Sequence, residues 1–192
     1  MPELGDETKP KVPTKTDDRL RKRLREALSY AAAVAALAGI LLGTFEYFQR
    51  KDQVRARHTM DQIEYWDDHG IRAAYRSLSG RVAEVLAIVP DRELAAASDD
   101  PELARKLKAR VAERVLQYDD APEQFDDVIY FFSRLSLCIE ARVCDGDAAA
   151  VFFEDTLDSF LDTFEGEVRN RSERIESYGA AVLSLADRFD KT

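Results

Sequence analysis

Nineteen consecutive residues without a charge, Ala27 to Phe45, constrain this chain more than any other feature. They comprise 7 Ala, 4 Leu, 2 Gly and one each of Val, Ile, Phe, Tyr, Ser and Thr. As a helix at ~1.5 Å per residue, the run is about 28 Å long, against a bilayer core about 30 Å thick. Tyr30, Tyr47 and Phe48 lie near its ends, where interfacial aromatics are favoured. The run predicts one transmembrane helix over 27–48. An Ala-rich helix buried in a soluble bundle would need a large protein on every side. A cleaved signal peptide would have a shorter apolar region, about 7–15 residues.

Within the predicted span, Ala31, Ala35, Gly39 and Gly43 recur every four residues. They form one small-residue stripe, a candidate helix–helix interface where backbones can approach closely.

The run also divides the charge. The whole 192-residue chain carries -9. Residues 1–51 hold 10 basic and 7 acidic residues, and residues 52–192 hold 18 and 30. A weakly basic leader therefore precedes a strongly acidic domain, which argues against a general binder of nucleic acid. Arg19, Arg21, Lys22, Arg23 and Arg25 before the span, and Arg50 and Lys51 after it, are candidate contacts for lipid headgroups. Between Lys15 and Arg57, six basic residues precede the span (Lys15 is the sixth) and four follow it, counting Arg55 and Arg57. That bias favours a cytoplasmic N-terminus.

Residues 1–18 are polar and proline-rich and are expected to be a disordered tail. Residues 19–26 read as a basic juxtamembrane helix, and 49–69 as a polar helical stalk. From residue 70 the periodicity is helical. Ile71, Tyr75, Leu78, Val82, Val85 and Val89 form one stripe, which Pro90 stops. Leu103, Leu107, Val111, Val115 and Tyr118 form the next, after the start signal Asp99-Asp100-Pro101-Glu102. Asp119-Asp120-Ala121-Pro122-Glu123 opens a third helix, with Val128, Phe132, Leu135, Ile139 and Val143 on one apolar face that Phe131 and Cys138 widen. Asp145-Gly146-Asp147 caps a fourth, with Phe153, Leu157, Phe160, Phe164 and Val168. Ile175, Tyr178, Val182, Leu185 and Phe189 mark a last one. The expected fold is all-α: one N-terminal transmembrane helix and an antiparallel bundle of about five helices over 70–192.

Chemistry-bearing motifs are sparse. Cys138 and Cys144 are six residues apart. On one unbroken helix they would point to different faces and could not pair. Two free thiols fit a reducing compartment. His58 and His69 share a face of the stalk, too few ligands for a metal site. Glu154, Asp158, Asp162 and Glu165 read as the wet side of an amphipathic helix. No phosphate-binding or nucleophile motif is present, so neither a cofactor nor enzymatic activity is expected. Trp66, Gly70, Arg72 and Arg76 form a candidate joint between membrane and domain.

The arrangement resembles an uncharacterised bacterial family of single-span, membrane-anchored α-helical proteins, a domain of unknown function. The resemblance rests on the span, on Arg55-Ala56-Arg57-His58-Thr59, Trp66 and Tyr130-Phe131-Phe132-Ser133-Arg134-Leu135-Ser136-Leu137, and on Tyr178 with Leu185-Ala186-Asp187-Arg188-Phe189. It implies a membrane-tethered α-domain facing the cytoplasm and brings no catalytic residues. Thiols and resemblance together place the domain in the cytoplasm, against the charge bias. The expected role is protein interaction or self-assembly at a bacterial plasma membrane, with lipid and a protein or second copy as partners. The alternatives are an accessory subunit of a larger membrane complex, or an enzyme or effector with its site between bundle helices.

Overall fold

Most of the helical periodicity in the sequence becomes helix, and no strand occurs among the described residues. Val143, Ile175 and Tyr178 of the predicted stripes fall in turns, because one helix stops at Glu140 and the last starts only at Ala180. The computed structural model describes residues 39, 44–47, 49–175 and 177–191. Two units separate, Met1–Arg50 and Lys51–Thr192. In the first, the described residues are helical and Arg50 lies 4.0 Å from Glu46. The predicted tail 1–18, juxtamembrane helix 19–26 and nearly all of the span 27–48 lie outside the described residues. Among those described, no helix is long and apolar enough to cross a membrane.

The second unit is an all-α bundle. Helix α1 covers 51–68, followed by α2 (Ile71–Ala87), α3 (Asp91–Asp99), α4 (Pro101–Val115), α5 (Ala121–Glu140), α6 (Gly146–Arg174) and α7 (Ala180–Phe189). This corrects two expectations. The segment 49–69 is not a stalk, because Thr59, Gln62 and Trp66 are buried against the bundle. The domain therefore begins near residue 51, not 70. A short helix, α3, also stands where none was predicted. Pro90 is its N-cap, and it contributes no buried residue.

Local chemistry sets the breaks. Gly70 adopts φ 78°, a left-handed turn that glycine enters without a Cβ clash, and α2 starts there. Asp100 caps α4 by accepting from the Glu102 and Leu103 amides at 2.8 and 3.4 Å, with Pro101 in the first turn. Such a cap contributes about 1 kcal/mol. Asp145 caps α6 by accepting from the Ala148 amide at 3.0 Å. Asp120 precedes α5 without capping it. Its carboxylate binds Arg81 of α2 at 2.5 Å instead, and that hydrogen bond holds the carboxyl below its ordinary pKa.

α5 is central. Phe125, Val128, Phe131, Phe132 and Leu135 are completely buried. It packs against α2 and α7, while α4 packs against α3, α2 and α6. Trp66, Phe131, Phe132 and Phe153 form one aromatic cluster, with centroid separations of 4.8 to 6.2 Å. Phe125, Phe160 and Phe164 form a second, at 5.1 to 5.5 Å. Each such ring stabilises the fold by roughly 1.5–3 kcal/mol through burial. Arg171 of α6 closes the far end: it meets Asp126 and Glu167 at 2.8 Å and lies 4.6 Å over the Phe125 ring. Tyr178 donates its hydroxyl to Asp126, and burial followed by that carboxylate drives its pKa far up.

Candidate functional site

The corner between α5 and α6 is built from a helix that stops without glycine. The Arg142 amide donates to the Ile139 carbonyl at 2.9 Å and the Val143 amide to the Cys138 carbonyl at 3.0 Å. This double closure requires a left-handed residue just past the helix, and Arg142 supplies it at φ 57°. A side chain in that conformation costs about 1–2 kcal/mol relative to the right-handed one.

The reversal has a direct consequence for the cysteines. Cys138 and Cys144 form a disulfide, with Cα atoms 5.2 Å apart, and no free cysteine remains. The expectation that they could not pair is therefore corrected. It assumed one helix through both residues, but α5 ends at Glu140. The case for a reducing compartment made from free thiols falls with it.

α1 is fastened to this loop. Thr59, fully buried, accepts the Asp145 amide through Oγ1 at 2.8 Å. Its hydroxyl lies 3.2 Å from the Arg55 carbonyl and 3.3 Å from that of Asp145. Arg55 donates through Nε to the Cys144 carbonyl at 3.4 Å and lies 4.0 Å from the Asp145 carboxylate. None of these roles was foreseen. The one available signal was the α1 spacing Thr59, Gln62, Ile63, Trp66, a helical stripe with polar members.

The predicted joint is placed as follows. Trp66 is core, between Phe131, Phe132, Phe153 and Tyr75. Gly70 makes the turn, and Arg72 reaches back over it to Asp67 at 3.0 Å. Arg76 is exposed on α2. Three of the four thus meet at the α1–α2 corner.

Beside the disulfide loop lies an open polar depression of about 530 Å³. Lys51, Arg55, Arg142 and Arg188 line it, with the carboxylates Glu140 and Asp147 and the first residues of α6. Arg188 pairs with Glu140 at 3.8 Å, whereas Lys51 and Arg142 have no ion pair among the described residues. Arg55 is also paired with Asp52 and Asp145, at 3.9 and 4.0 Å, so Lys51 and Arg142 give the hollow its basic character. Of the predicted headgroup contacts, Arg50 and Lys51 are exposed; Arg19, Arg21, Lys22, Arg23 and Arg25 lie outside the described residues. So do Ala31, Ala35 and Gly43 of the small-residue stripe, while Gly39 is helical and exposed.

Elsewhere the surface is scored by open clefts. One of about 280 Å³ lies behind α3, lined by Val82, Leu86, Leu94 and Leu107 among others. A larger one, about 990 Å³, holds Asp158, Asp187 and Asp190 between α4, α6 and α7. His69 stacks on Tyr65 at 3.9 Å and His58 meets Asp61 at 3.5 Å. Among the described residues, no cluster of His, Cys, Asp and Glu could hold a metal ion.

No family model, curated protein or solved structure matches this chain, so the family reading rests on the residues quoted for it.

Proposed function

We propose that this is a single-span protein of a bacterial plasma membrane, anchored by 27–48, whose acidic helical domain binds a protein partner or a second copy. We place the domain on the oxidising, non-cytoplasmic side. The observation that carries this placement is the Cys138–Cys144 disulfide, because such bonds persist mainly in oxidising compartments. The basic residues point the same way: within residues 15–57, six before the span against four after it favour a cytoplasmic N-terminus. A single span then exports the domain.

Interaction is favoured over catalysis by the surface. Tyr130 and Leu137 of α5 and Val151 and Phe152 of α6 are each more than half exposed. Large exposed apolar side chains supply contact area for partners. The same feature would serve an accessory subunit of a larger complex.

A periplasmic phosphatase fused after Thr192 tests the placement. It should be active in intact cells and sediment with membranes. An inactive fusion in the membrane fraction would reverse the orientation, and a fusion in the soluble fraction would remove the anchor. Detergent extraction with mass spectrometry should then recover a stoichiometric partner or a homo-oligomer.

A further inference from the structure

We infer that the basic depression at the α5–α6 corner is a site for the phosphate of an anionic phospholipid headgroup. The inference rests on the proposed membrane anchor and adds a specific lipid contact to it.

The first argument is charge. Lys51, Arg55, Arg142 and Arg188 converge on one polar hollow, in a region of the chain with 30 acidic and 18 basic residues. A random share of that surface would be acidic. Phosphate suits the hollow, because guanidinium forks match its oxygens. The hollow also includes Gly146 and Asp147 at the start of α6, where the first amides lack intrahelical acceptors and favour anions.

The second argument is independent and concerns Arg142. It holds φ 57° at the one position of the helix stop where glycine is favoured. Folding alone would be served better by glycine there. Arg142 lines the hollow from this turn, where the helix-stop hydrogen bonds hold its backbone in place.

The third argument is location in the chain. Lys51 lies three residues after the end of the predicted span at residue 48. A bilayer is thus the nearest abundant source of phosphate monoanions, and each basic residue near an anionic surface adds about a fivefold factor in affinity. The depression is open, as a headgroup requires, and Arg55, which lines it, donates to the Cys144 carbonyl of the disulfide loop.

The test uses the full chain in lipid nanodiscs, one set of phosphatidylcholine and one containing phosphatidylglycerol. Hydrogen exchange over 141–148 is compared between them for wild type and for Arg142→Gly. Phosphatidylglycerol should slow exchange there about fivefold in wild type. In Arg142→Gly that difference should vanish, while the melting temperature rises by about 2–4 °C from relief of the left-handed residue. Equal exchange in both lipids overturns the inference. So does a lipid effect that survives Arg142→Gly, or a lower melting temperature, which would make Arg142 structural. A chain that leaves the nanodiscs altogether refutes the anchor instead, so the two failures are distinct.

Discussion

Thr59 of α1 and Asp145, 86 residues later, share a buried hydrogen bond of 2.8 Å from the Asp145 amide to the Thr59 hydroxyl. The same loop is closed by the Cys138–Cys144 bond and turned by Arg142. The helix that follows the predicted anchor is thereby fixed to a turn closed by a disulfide. Thr59→Val keeps the shape and leaves that amide unpaired. An unsatisfied buried donor costs about 1–3 kcal/mol. Urea unfolding should show a loss in that range for Thr59→Val, with Thr59→Ser retaining most of the wild-type stability. Equal losses in the two variants would show that the methyl group, not the hydroxyl, is what matters.

Gly179 contrasts with Gly80. A Cβ on Gly179 would overlap Val168 Cγ1, at φ +67°. Both clash and backbone oppose it, so Gly179→Ala should cost about 2–4 kcal/mol. Gly80 lies exposed within α2 with nothing near its Cβ position. Gly80→Ala should stabilise by about 0.5–1 kcal/mol through helix propensity alone. Thermal melts of the two variants should therefore move in opposite directions.

Asp158 predicts a pH-dependent effect. Desolvation first, then the neighbouring Asp190 and Asp155 carboxylates, raise its pKa above the ordinary value. The folded state thus holds this proton more tightly than the unfolded chain, whose value is about 3.9. The resulting stabilisation is present below about pH 3.9 and is lost as pH rises through the folded pKa. Asp158→Asn should stabilise the domain slightly at pH 7, by under about 0.5 kcal/mol for so exposed a site. The gain should disappear at pH 3. A gain that persists at pH 3 would rule out carboxylate repulsion as its source.

Much of the bundle was legible because its stripes are long and regular. Every member of the Phe153–Val168 stripe is buried, and Asp100 and Asp145 cap as their positions predict. What escaped did so for identifiable reasons. α3 is 9 residues long, too short for periodicity to register, and buries nothing. α1 presents Thr59 and Gln62 to the interior, so its inner face read as polar and the helix as a stalk. The disulfide was hidden because Arg142 carries the left-handed turn. With glycine at 142, the spacing itself would have announced a helix stop and allowed the cysteines to meet. The basic hollow gathers residues from the start of α1, the 142 turn and the end of α7, a juxtaposition only the tertiary fold creates.

The most direct test of the account is the redox state of the two cysteines in living cells. Cells making the full chain are quenched with acid, and the protein is denatured without reductant and treated with a bulky maleimide. An exported domain with the Cys138–Cys144 bond should take up no label until reductant is added, then two labels per chain. Two labels before reduction would contradict both the disulfide and the non-cytoplasmic placement.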